Sequence, residues 1–268
     1  MEKFKIYIKA AEQGDMEAQY YLGLAHFQGI ELEQDYTKAL DWCLKAAEQG
    51  HADAQNLLGL LYFEGLGTQK NYEQGIDWIH KSAQQNNLNA QFSLGFFYQN
   101  GQGVQKDYDK SIEWYSKAAN QGLATAQVNL GIMYIAGNGI QKNYDKAVKL
   151  LEEAANQDST IAMVALSKLY FQEIHDHSKA LAWCLKAAEL GDLDSQFTIG
   201  GMYYNGQYVK KDIQKAFEWT HKAAIRGHKA ANKALQDLFS GFCLHCGGQL
   251  GGFFVKRCKV CGKKPGAI

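Results

Sequence analysis

The sequence predicts an all-α solenoid of stacked helix pairs, about 14 helices in all, ending in a small four-cysteine tail. Three observations carry this prediction. Gly14, Gly50, Asn86, Gly122 and Asp158 stand 36 residues apart, Gly191 follows after 33 and Gly227 after another 36. Gln19, Gln55, Gln91, Gln127 and Gln196 keep one register, and Trp42, Trp78, Trp114, Trp183 and Trp219 keep another. The 268-residue chain has one proline, Pro265, so nothing interrupts helices before its last residues. A fixed period of this length marks units that bury their apolar faces only against their neighbours.

The elements follow in order. Residues 2–13 align with the second helix of a unit, helix B, through Phe4, Ile6 and Ala10. The first full unit then opens with a helix A over roughly 15–28, whose Ala18, Gln19, Leu22, Gly23 and His26 share one face. The small pairs Ala18 with Gly23, Ala54 with Gly59 and Ala90 with Gly95 predict a close helix approach. Mid-helix glycine costs about 1 kcal/mol against alanine and is retained only where close packing offsets that loss. Glycine loops follow helix A, as in Gly65-Leu66-Gly67, Gly101-Gln102-Gly103 and Gly137-Asn138-Gly139. Asp35, Asn71, Asp107, Asn143, Asp176 and Asp212 then stand where a side-chain oxygen caps helix B. Tyr36, Ala39, Leu40, Trp42, Ala46 and Ala47 are its inward face, and Gly50 ends it in the left-handed conformation, which Asn86 and Asp158 also tolerate.

The fifth unit is three residues short, and register returns at Asp176, so the deletion lies within 171–175. A tight turn is expected there. Residues 228–240 align with a closing helix A through Ala231, Leu235 and Phe239. The solenoid is therefore assigned to 1–240 and the tail to 241–268.

That tail contains no acidic residue, five basic ones (Lys256, Arg257, Lys259, Lys263, Lys264) and the pattern Cys243-x2-Cys246-x11-Cys258-x2-Cys261. Two such pairs, each followed by glycine (Gly247, Gly262), suit a tetrahedral structural Zn2+ site, and Gly251-Gly252 before Phe253-Phe254-Val255 reads as a hairpin between them. Metal would supply the folding energy that so short a segment lacks. Two disulfides, or a redox pair, are the rival readings. The ribbon either caps the last helix A, through Phe242, Phe253 or Phe254, or contacts an anionic partner such as nucleic acid.

Composition narrows the function. Formal net charge is zero, against a nucleic-acid or membrane-surface footprint for the whole chain. No apolar run approaches the roughly 20 residues that span a bilayer. Lys3, Lys5 and Lys9 interrupt the first apolar stretch, unlike a signal peptide, so a cytoplasmic location is expected. No nucleophile–base constellation stands out; His175 and His177 flank the shortened loop without a carboxylate or thiol cluster, and His177 stands in for a tyrosine.

The segment Ala90–Ala119, AQFSLGFFYQNGQGVQKDYDKSIEWYSKAA, resembles the Sel1-like repeat, a relative of the tetratricopeptide repeat, as do Ala54–Ala83 and Ala126–Ala155. The resemblance spans roughly residues 2–240. It implies a right-handed α/α superhelix and a non-enzymatic adaptor, scaffold or immunity-type inhibitor that binds a protein partner. Some secreted relatives carry a disulfide in each repeat and a few were linked to β-lactam binding; here Cys43 and Cys184 lie alone in distant units, as buried packing residues. In such solenoids the A helices line the concave side. The partner-facing candidates are then Tyr21 and Leu57 in one row and Leu24, Leu60, Phe96 and Ile132 in the next, rimmed by Glu17, Asp53, Asn89, Gln28, Glu64 and Asn100. An apolar row of this kind suits an extended or helical peptide, and the alternative is that it packs between neighbouring A helices.

Overall fold

The structure, a computed structural model, describes residues 2–238. They form fourteen α-helices: α1 (Glu2–Glu12), α2 (Met16–Gln28), α3 (Tyr36–Glu48), α4 (Ala52–Glu64), α5 (Tyr72–Gln84), α6 (Leu88–Asn100), α7 (Tyr108–Asn120), α8 (Ala124–Ala136), α9 (Tyr144–Ala155), α10 (Thr160–Leu169), α11 (His177–Glu189), α12 (Leu193–Asn205), α13 (Ile213–Ile225) and α14 (Lys229–Leu238). Even-numbered helices are the A helices and odd-numbered ones the B helices. No strand occurs among the described residues. The chain divides into two compact units between Leu150 and Leu151.

Local chemistry sets the helix ends. All six proposed caps of helix B accept from the backbone of the first turn: Asp35 from Thr37 and Lys38, Asn71 from Gln74, Asp107 from Lys110, Asn143 from Lys146, Asp176 from Lys179 and Asp212 from Lys215. At the other end Gly50 has φ 97° and its substitutes Asn86 and Asp158 have φ 64° and 60°, so the left-handed stop is kept where glycine is not. Helix A has caps that the sequence reading missed. His51 accepts the Ala54 amide at Nδ1 (3.2 Å), and His228 accepts that of Ala231 (3.0 Å). An accepting Nδ1 leaves the proton on Nε2, which faces Glu17 at 3.3 Å in one case and Asp194 at 2.9 Å in the other.

Close approach of A and B is real and glycine permits it. A Cβ on Gly23 would lie 2.5 Å from the Cys43 sulfur, and one on Gly95 would lie 2.6 Å from the Tyr115 ring. Cys43 and Cys184 are free, buried thiols; burial pushes Cys43 up to about 12 and Cys184 in the same direction, so both pack rather than react. The tryptophans share one environment: Lys45, Lys81, Lys117, Lys186 and Lys222 each stand 3.8–4.2 Å above the ring three residues earlier. Trp42, Trp78, Trp114 and Trp219 also reach back to the preceding core. Trp42 packs on Ala11, Ala18 and Leu22, and Trp78 on the cluster of Cys43, Leu58 and Leu61. At Leu150, where α9 lacks the tryptophan, Glu153 takes the lysine's place, whereas α1 keeps Lys9 beside Ile6.

Two expectations need correcting. Ile6 occupies the tryptophan position of α1, but no A helix precedes it among the described residues, so it is 70% exposed rather than inward. Ala10 and Ala11 do pack, while the Phe4 side chain lies outside the described residues. In the fifth unit the shortened loop is not simply a tight turn. Helix α10 widens into one π turn, Tyr170–Ile174, and His175 turns the chain with φ 61°. Absorbing the deletion in the helix end keeps Tyr170 buried.

Candidate A-helix interaction surface

The candidate row lies within the first of the two compact units, on α2, α4, α6 and α8. Phe96 and Ile132 are 38% and 40% exposed, and Leu24 and Leu60, at the equivalent positions, are half-buried. Tyr21 is 49% exposed, its ring centroid 5.6 Å from that of Tyr7. Leu57 does not join them. It is 7% exposed and belongs to the core of Cys43, Leu58 and Leu61, against which Leu24 also packs. The same position holds Ser93, which donates to the Asn89 carbonyl, and Asn129, which donates to the Tyr115 hydroxyl at 3.4 Å, so Tyr21 is the outward apolar member of this row. Leu60 also leans on the cluster of Phe63, Ile79 and Phe97. Part of the row therefore does fill space between helices, and its outward portion is Tyr21, Phe96 and Ile132.

The charges around the row are one-sided. Helices α2, α4, α6 and α8 carry Glu17, Asp53 and Glu64 and no lysine or arginine. Glu17 faces His51, Asp53 accepts from Asn87 at 2.7 Å, and Glu64 stands 3.9 Å from Lys70. Beneath them Tyr20 stacks on His51 with centroids 4.6 Å apart, and burial, reinforced by Asp53, pushes its hydroxyl up to about 12. This floor is neutral and the rim is weakly acidic.

The family model of the Sel1 repeat matches residues 4–15, 17–51, 52–87, 88–123, 124–159, 160–192 and 193–228. The chain belongs to the Sel1 repeat family. A Sel1 repeat protein from Oxalobacter formigenes has a similar structure, with TM-score 0.70 and 29% identity over 84% of this chain and 99% of that one. A sel1-like repeat-containing protein of Acanthamoeba polyphaga mimivirus is 46% identical over 43 residues, 16% of this chain and 7% of its own length. A chitin synthase regulator of Saccharomyces cerevisiae is 33% identical over 66 residues, 25% of this chain and 10% of its own length. The chain thus spans a tenth or less of the two curated relatives.

Within the Sel1 units the glycine loops are packing devices. A Cβ on Gly103 would press on Tyr72 and Ile76, and one on Gly139 on Tyr108, so the second glycine seats the loop against the tyrosine that opens the preceding B helix. His177 takes that tyrosine's place before the sixth unit and packs against Tyr208 at 4.4 Å and Phe171 at 5.7 Å. Among the described residues no group of histidine, cysteine and carboxylate side chains is arranged to hold a metal. Cys243, Cys246, Cys258 and Cys261, with Phe239 and the rest of the tail, lie outside the described residues. No described helix is long and apolar enough to cross a membrane.

Proposed function

We propose that this Sel1 repeat protein is a non-enzymatic interaction module that binds a segment of a partner protein along Tyr21, Leu24, Leu60, Phe96 and Ile132. The observation that carries the reading is the pair Phe96 and Ile132, large apolar side chains left exposed at equivalent positions of successive A helices. Burying the part of these two side chains that is still exposed would stabilise a complex by about 1–2 kcal/mol. Cytoplasmic action, as an adaptor or inhibitor, fits a chain whose buried thiols are unpaired.

The test is capture from native lysate with the wild-type chain and with Phe96→Asp/Ile132→Asp, followed by mass spectrometry and a direct binding titration. Leu60 is left unchanged because it also supports the core. Partner binding is expected to fall at least about tenfold with unchanged circular dichroism. Undiminished binding would remove the row from the function.

For the tail we infer a structural Zn2+ held by Cys243, Cys246, Cys258 and Cys261, which would fold the segment and leave no open coordination position for catalysis. Its five cations exceed the −2 of a zinc tetrathiolate, which supports a second reading in which the ribbon contacts nucleic acid or another anionic partner. Steeply salt-dependent binding that requires Lys256, Arg257 and Lys259 would mark that mode.

A further inference from the structure

The loop between α12 and α13 departs from its counterparts in charge. Lys210 stands where the second, third and fourth units have Gln69, Gln105 and Gln141, and Gln214 where they have Glu73, Asp109 and Asp145. A cation is gained and a carboxylate lost in one short segment. The pairing changes with it. Lys38, Lys110 and Lys179 fold back on the aspartates that cap their helices, at 3.1, 3.7 and 3.8 Å. Lys215, at the same position, has no ion pair among the described residues, and neither do Lys210 and Lys211. Lys215 instead stands 5.3 Å from the Tyr203 ring. Tyr203, Val209, Lys210, Lys211, Asp212 and Lys215 together line a pocket of about 430 Å³. Its backbone is anchored, since Val209 and Tyr203 pack beside Leu181 and Leu185, and the Tyr208 ring lies 4.4 Å from that of His177.

We propose that this pocket binds a phosphate monoester. Three ammonium groups against one carboxylate leave the lining two charges positive. A monoester carries close to the matching charge, about −2 near neutral pH, whereas one carboxylate would balance only half of the excess. Lysines suit the task as point charges that can surround a tetrahedral oxyanion. An apolar occupant would strip water from three cations and return no hydrogen bond. One oxygen of Asp212 already accepts the Lys215 amide, so the side chains, not the end of α13, make the site. None of these residues belongs to the A-helix row, so either proposal can fail without the other.

Titration of the full chain with N-acetyl-phosphoserine methylamide, followed by amide NMR at fixed ionic strength and about pH 7.5, tests the assignment. Saturable shifts are expected at Lys210, Lys211 and Lys215, with binding at least about tenfold tighter than that of N-acetyl-glutamate methylamide. Lys210→Gln/Lys215→Gln is expected to erase that preference, whereas Lys106→Gln/Lys110→Gln in the third unit leaves it unchanged. Asparagine caps equivalent helices at Asn71 and Asn143, so Asp212→Asn keeps the fold. Removing that carboxylate is expected to tighten the phosphoserine probe about threefold. Inorganic phosphate separates the sources: equal binding points to a small phosphorylated molecule and weaker binding to a phosphorylated side chain, and both sustain the site. No saturable shift, a phosphate preference that survives the Lys210 and Lys215 substitutions, or tighter binding of a single-stranded oligonucleotide through the same lysines would overturn it.

Discussion

Gln49 donates through Nε2 to Oε1 of Gln19 at 2.7 Å, and Gln19 donates in turn to the Ala11 carbonyl at 3.0 Å. The relay links three helices, and it repeats as Gln85–Gln55–Ala47 and Gln121–Gln91–Ala83. Each central glutamine is buried and gives a second donor to a carbonyl at the end of a B helix that already accepts one backbone amide, from Gly14, Gly50 or Asn86. In the fifth unit both side chains change together, to Met163 and Leu190, which line one shared pocket. In the sixth, Arg226 turns to the Gly191 carbonyl instead, and Gln196 Oε1 is left buried without a partner.

Gln55→Ala is therefore expected to cost about 1–2 kcal/mol in urea unfolding, because the Gln85 amide loses its partner and the Ala47 carbonyl keeps only its backbone donor. Gln55→Met with Gln85→Leu, the fifth-unit solution, is expected to cost less than the sum of its single changes. Strict additivity would mean that the relay has no coupled energy.

Two helical glycines separate packing from propensity. A Cβ on Gly59 would strike the Gly75 carbonyl oxygen and the Ile79 side chain, whereas one on Gly201 meets nothing within 4 Å. Gly59→Ala is expected to destabilise by about 1–3 kcal/mol, and Gly201→Ala to stabilise by about 0.5–1 kcal/mol. Thermal unfolding of the two variants should move in opposite directions; a shared direction would contradict the close-approach argument.

His80 sits half-buried on α5, its Nε2 3.3 Å from the Tyr98 hydroxyl and its ring 5.6 Å from that of Trp114. Burial holds its pKa below the usual imidazole range, with Asp77 opposing and Lys110 assisting. As pH falls the unfolded chain takes up this proton before the folded one does. The stability contributed is complete above about pH 6.5 and is lost as pH drops toward the lower folded value. Stability of the wild type should thus fall more steeply from pH 7.5 to 5 than that of His80→Phe, as measured by urea titration. Parallel profiles would refute the assignment.

Metal analysis of the purified chain is expected to find about one zinc, lost in Cys258→Ser, with helical content unchanged. Purified native protein free of metal, with four alkylatable tail thiols, would refute the zinc assignment.

Much of this architecture is legible in the residues alone. The helix count, the six B-helix caps and the left-handed stops at Gly50, Asn86 and Asp158 follow from interactions within a few residues. The conserved register of the glutamines was visible too, but not their relay, since the pairing residues Gln49 and Gln19 are 30 positions apart. His51 escaped notice as a cap because imidazole is an uncommon acceptor there.

What the sequence determined by itself is the repeat, because propensity, capping and positive-φ tolerance act locally and recur every 36 residues. Tertiary structure alone decided which copies of a repeated position reach solvent. Leu57 and Tyr21 share one register, yet one is core and the other surface. The π turn in the fifth unit was settled in the same way. The reason is that a side chain's exposure in a stacked array depends on the unit beside it, and neighbouring units differ in what they bring to the shared contact.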